Sequence, residues 1–135
     1  MKKTLLFVFS LLLSVTMIAQ TKAQFIKESF NGTNMPTGWT ITGLGQTSWS
    51  ISQTANAGGK ANELHLTWKP QFNGISRVVM PAVDLTGVDK LVFSFKHCLK
   101  NYLGSHTIGI ATSSDGGTTW NEGWSQSYSQ SNQFS

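Results

Sequence analysis

The sequence has a single cysteine, Cys98, in 135 residues, so no disulfide can form within the chain. Cys98 reads as a small, buried apolar residue. An intermolecular bridge, or a bridge to another part of a longer protein, is the alternative. Basic clusters are lacking as well. Lysines and the lone Arg77 are scattered, without the electrostatic footprint of a nucleic-acid binder. No stretch after the first residues keeps a 3.6-residue apolar period, which argues against a helical domain. No internal repeat is present, which removes direct support for a propeller or solenoid. Neither a G-x-S-x-G elbow nor an H-E-x-x-H metal motif occurs, so two common routes to hydrolysis have no signature here.

What is present begins with "MKKTLLFVFSLLLSVTMIAQTKAQ". Lys2 and Lys3 precede an apolar run that is short for a membrane span. That order is the form of an export signal, expected over residues 1–23. Ala19 and Ala23 are both suitable cleavage positions, giving a mature start at Gln20 or Gln24. No membrane span is expected after cleavage. Cutting after Ala23 also removes Lys2, Lys3 and Lys22 from the ten basic residues, leaving them close to balance with the six acidic ones.

Residues 24–135 read as one all-β domain. Short β-branched and aromatic runs alternate with turn residues. Strands are expected at "FIKESF", "WTIT", "WSIS", "ELHLTW", "SRVVMP", "LVFSFKH", "HTIGIATS" and "TTWNEGW". In "ELHLTW", Leu64, Leu66 and Trp68 share a face. In "LVFSFKH", Leu91, Phe93 and Phe95 do, and His97 extends that face. Such alternation places one face on a core and one on solvent, the habit of antiparallel sheets. "VDLTGVDK" reads as a turn-bearing link. The closing "WSQSYSQSNQFS" reads as a polar run without a clear final strand.

"ATSSDGGTTWNEGW" carries Ser113, Asp115, Gly117, Thr119 and Trp120 in the S-x-D-x-G-x-T-W spacing of the sialidase Asp-box. Each residue has a structural use. Gly116 and Gly117 supply positive φ for a reversal. Asp115 can accept hydrogen bonds from turn N–H groups. Thr119 enters the return strand, and Trp120 can fold back on the hairpin. In sialidases the motif lies away from the catalytic centre and occurs several times, beside an arginine cluster. One copy and one arginine point to a structural turn.

The order of motifs is more specific. "ESFNGTNMPTGWT", "TSWSIS", "AGGKANELHLTW", "SRVVMPAVDLTG", "LVFSFKHCLKNY" and "TIGIATSSDGGTTW" together resemble the MAM-like, choice-of-anchor J domains of secreted Bacteroidetes proteins. These are related to the cleaved adhesin domains of gingipains and haemagglutinins. The resemblance spans Phe25 to Trp124. It implies a concanavalin-like jelly-roll β-sandwich of two antiparallel sheets. It also implies a non-catalytic adhesion or ligand-binding role toward host protein or glycan. The alternative is an accessory spacer domain of a larger secreted peptidase or glycoside hydrolase. Such jelly rolls usually use more chain than follows here, so the domain is expected to be truncated at its C-terminus and to belong to a larger secreted polypeptide.

The related adhesin domains often place acidic calcium loops just after "GW". Here "TITGLGQTSW" has no carboxylate, although calcium needs several oxygen ligands. Glu28 and Glu63 remain as candidates for Ca²⁺, with Asp84 a poorer third. Otherwise Glu63 pairs with Arg77 or faces solvent. Catalysis has little to work with. His97 and Cys98 are adjacent and face opposite sides of a strand. His65, His97 and His106, among many serines, leave a Ser-His-Asp arrangement open by count alone, but the acidic residues show no pairing suited to glycoside hydrolysis. All five tryptophans lie beyond the signal. Trp39 fits a sandwich edge and Trp68 a core face, whereas Trp120 and Trp124 are the candidate ligand-binding pair.

Overall fold

β-Branched residues lose little by extending, and in this chain they seed short strands. The computed structural model describes residues 25–100, 104–129 and 133–134; the expected signal lies outside the described residues. Among the described residues there are eight strands: β1 (Thr40–Gly43), β2 (Trp49–Ser52), β3 (Glu63–Leu66), β4 (Ser76–Val79), β5 (Cys98–Leu99), β6 (His106–Thr112), β7 (Asn121–Tyr128) and β8 (Gln133–Phe134). Among the described residues the helical content is one 3-10 turn, Gln46–Ser48. No helix there is long and apolar enough to cross a membrane.

Every ladder is antiparallel. β1 pairs with β4 and encloses the β2–β3 pair; β5 pairs with β8 and encloses the β6–β7 pair. The protein is therefore all-β. Its sheets are two-stranded, and among the described residues they do not close into the two larger sheets of a jelly roll. Few described side chains are sealed from solvent: Tyr128 is the buried apolar residue and Ser48 the buried polar one.

Four sequence expectations meet a different structure. "FIKESF" is not a strand. Glu28 Oε1 accepts from the Ser29 N–H at 2.8 Å and the Phe30 N–H at 2.6 Å, and Phe30 has φ +53°. A carboxylate that captures its own backbone N–H groups competes with a ladder, and a positive φ ends an extended run. Trp68 is not on a core face but 68 % exposed, because β3 stops at Leu66 and its alternation stops with it. "LVFSFKH" joins no ladder up to His97; β5 begins only at Cys98. Conversely, the polar run after Trp120 is structured: β7 continues to Tyr128.

Anchors outside the ladders fix the loops. Trp49 Nε1 donates to Ser76 Oγ at 2.7 Å, joining β2 to β4. Ser48 O accepts from the Thr67 N–H at 2.9 Å, and Thr67 Oγ1 donates to Lys69 O at 2.8 Å. Phe30 meets Trp39 edge-on at 5.2 Å, seating the first loop.

Candidate functional site

Ser113, Asp115, Gly117, Thr119 and Trp120 form one hydrogen-bonded unit between β6 and β7. Thr119 N–H donates to Asp115 Oδ1 at 2.9 Å and Oδ2 at 3.0 Å, and Thr119 Oγ1 donates to Oδ2 at 2.6 Å. Ser113 Oγ donates to Asp115 Oδ1 at 2.8 Å and accepts from the Gly117 N–H at 2.8 Å. Gly116 and Gly117 have φ +70° and +90°. Trp120 Nε1 returns to Gly117 O at 2.9 Å, closing the hairpin. Donors from the Thr119 hydroxyl, the Thr119 backbone and Ser113 favour the charged carboxylate, so the Asp115 pKa falls from 3.8 to about 2. The carboxylate is occupied by donors of its own turn.

The two candidate tryptophans are separated by this arrangement. Trp120 is half-buried, and the Arg77 guanidinium stands 5.0 Å from its ring centroid. Trp124 lies within β7, opposite Ile110 and 39 % exposed. Here the alternation expected for residues 91–97 does appear, in ring contacts rather than a ladder. Phe95 lies 5.6 Å from Phe93 and 5.5 Å from Trp124. His97 lies 6.2 Å from both Trp124 and Tyr128. Its Nε2 shares a 2.9 Å hydrogen bond with the Tyr128 hydroxyl.

Between these elements opens a cleft of about 500 Å³, lined by Leu91, Phe93, Phe95, Ile110 and Trp124, with Thr112 and Gly123 at its side. The β6–β7 register skips Gly123, where Ile110 faces Trp124 but Ala111 faces Glu122. That bulge shifts Trp124 relative to the hairpin. The sequence reading named Trp124 but not its neighbours. Its Leu91/Phe93/Phe95 face carried the signal, which was assigned to a core. A second, smaller cleft of about 360 Å³ is lined by His65, Leu66, Thr67, Trp68, Lys69 and Lys100.

The residues proposed for calcium do not fit it. Glu63 accepts from Thr54 Oγ1, from the Asn56 N–H at 3.0 Å and from the Ala57 N–H at 2.9 Å. Burial raises its pKa, but these donors more than offset that and hold it below the ordinary value. Glu28 is turned onto the Ser29 and Phe30 N–H groups, and Asp84 Oδ1 onto Thr86. Oxygen atoms that already accept N–H and O–H donors present positive hydrogens, not a cage of six to eight free oxygens. Among the described residues no group of three His, Cys, Asp or Glu side chains is placed to hold a metal. Arg77 stacks on Trp120 rather than serving Glu63. Cys98 is a half-buried free thiol in β5.

No protein-family model, curated protein or solved structure matches the chain.

Proposed function

We propose that the chain is a non-catalytic, exported adhesion or ligand-binding module that takes a protein or a glycan. The jelly-roll sandwich of the MAM-like and choice-of-anchor J domains is the architecture proposed for it. Antiparallel ladders that join distant strands, β1 to β4 and β5 to β8, support that architecture. One observation carries the functional reading: the open cleft that sets Trp124 beside Phe93 and Phe95. Exposed aromatic rings gathered in one apolar concavity are a binding surface of the kind that small ligands and partner side chains use. The Asp115 carboxylate is bound into its own turn, which supports a role without chemistry.

The test is a binding screen of the secreted chain against glycans and host-matrix proteins, with and without calcium. Capture of a glycan or matrix protein is expected, with affinity falling about tenfold or more in Trp124→Ala, as for an aromatic anchor. Calcium is expected to make no difference. No capture by the wild-type chain, or equal capture by Trp124→Ala, defeats the reading.

A second reading has its own support. Residues 91–95 join no ladder, and Leu91, Val92 and Phe93 are each about half exposed. Three consecutive large apolar residues left in water suit burial by additional polypeptide. That is the situation of an accessory domain within a larger secreted hydrolase. A peptidase or glycosidase domain encoded next to this chain, together with failure of the isolated chain in the screen, would favour it.

A further inference from the structure

We propose that the cleft around Trp68 binds an anionic sugar, with the pyranose ring on the indole and its carboxylate or sulfate between Lys69 and Lys100. The assignment rests on the ligand-binding reading above but uses a different surface from the Trp124 cleft.

Three observations lead to it. The first is that Trp68 is 68 % exposed although it is held in place. The Thr67 N–H donates to Ser48 O at 2.9 Å, the Thr67 hydroxyl donates to Lys69 O at 2.8 Å, and Ser48 Oγ donates to Pro70 O at 3.4 Å. Ser48 is itself buried, so the loop that presents the indole is tied to an interior point. An aromatic ring held out in water on a fixed loop has little ordering entropy left to lose when a ligand stacks on it.

The second is charge. Lys69 Nζ stands 4.3 Å from the Trp68 ring centroid, and Lys100 and His65 line the same cleft, which has no acidic lining residue. Lys100 Nζ makes one long hydrogen bond, 3.5 Å to Asn56 Oδ1, and an ammonium group has three donors. Lys69 therefore stands over the Trp68 ring, and Lys100 adds a second cationic donor to the same cleft.

The third is shape. The cleft is half open and about 360 Å³, suited to a ring and its substituent rather than to an enclosed apolar molecule. A pyranose presents polarised C–H groups on one face, which suit the negative face of an indole. A nucleotide base would also stack, but tracking a phosphate backbone takes a basic groove, and the chain has only scattered cations.

Calorimetric titration of the full chain with four probes decides the matter: tetragalacturonic acid, a sulfated, carboxylate-free carrageenan tetrasaccharide, neutral maltotetraose and a short single-stranded oligothymidylate. The two acidic sugars are expected to bind at least about tenfold more tightly than maltotetraose. Which of them is tighter tells carboxylate from sulfate. Affinity is expected to weaken with salt, as screened charges do. Trp68→Ala should lose about tenfold or more, and Trp68→Phe should recover part of it. The Lys69→Gln, Lys100→Gln double variant should bind acidic and neutral probes alike. Because these side chains are exposed, the variants keep the fold, which a circular dichroism spectrum verifies. Equal binding by Trp68→Ala, equal binding of maltotetraose, tighter binding of the oligothymidylate, or no sugar binding at all overturns the assignment. Loss in Trp124→Ala with none in Trp68→Ala overturns it while leaving the binding-module reading intact.

Discussion

The carboxylate of Asp115 faces solvent yet receives donors from both sides of its turn, and its chemistry is legible in a pH titration. Its pKa in the folded chain is about 2, below the ordinary 3.8. A depressed carboxylate contributes stability that is complete above its unfolded pKa and is lost as pH falls through the folded one. The urea midpoint of the wild type should therefore drop between about pH 4 and pH 2 more than that of Asp115→Asn, the difference isolating this group from Glu63 and Asp84. Parallel curves for the two proteins would show that the turn does not depend on the charge. Gly117 tests the same turn through its backbone. At φ +90° a β-branched side chain is strained, and its Cβ would stand 3.4 Å from the Trp120 ring. Gly117→Val should cost about 1–3 kcal/mol in a denaturant melt. These residue-scale roles were legible in the sequence, because S-x-D-x-G-x-T-W specifies donors, acceptor and positive φ at fixed offsets within one hairpin.

Strands depend on partners as well as on their own residues, and legibility falls accordingly. "WTIT", "WSIS", "ELHL", "SRVV" and "HTIGIAT" contain β-branched residues or clear alternation, and each forms a strand. "FIKESF" has a strand's composition, but Glu28 bonds the backbone a ladder would need. "WSQSY" has little hydrophobicity, yet Trp124, Gln126 and Tyr128 alternate toward Ile110, Ile108 and His106. The period was there in the sequence; low hydrophobicity hid it. The Trp124 cleft was missed for another reason. Phe93 and Phe95 look like core residues by pattern, and nothing in a pattern says whether a second layer covers them. At this scale Gly43 is the sharpest test. It ends β1 at φ +81°, Leu44 N–H donates to Ile75 O at 2.9 Å beside it, and an added Cβ would overlap that carbonyl oxygen. Gly43→Ala should separate β1 from β4 and cost at least the about 1–3 kcal/mol of backbone strain. Hydrogen exchange at Thr42 and Arg77, the next hydrogen-bonded pair after Leu44 and Ile75, should speed up accordingly. Wild-type protection there would mean that the pair tolerates the displacement.

Across the whole molecule, the first four strands pair among themselves and the last four do likewise, so contact between the two sets falls to side chains. Arg77 of β4 over Trp120 of the Asp115 hairpin is one such contact. A double-mutant cycle of Arg77→Ala and Trp120→Leu should return a coupling of about 0.5–1 kcal/mol, the range for an exposed cation–π pair. Zero coupling would mean that the stack does not bind the two sets together. The enclosure of one pair by another also sets an order in time. β2 and β3 are joined by a short loop, whereas β1 and β4 must close a much longer one. Once β2 and β3 have zipped, most of that longer loop is already drawn in, and each halving of the free length spares about 0.6 kcal/mol of closure entropy. The same holds for β6 and β7 within β5 and β8. Each set thus assembles from its middle outward, and its outermost ladders, β1–β4 and β5–β8, are the last to form and the first to open.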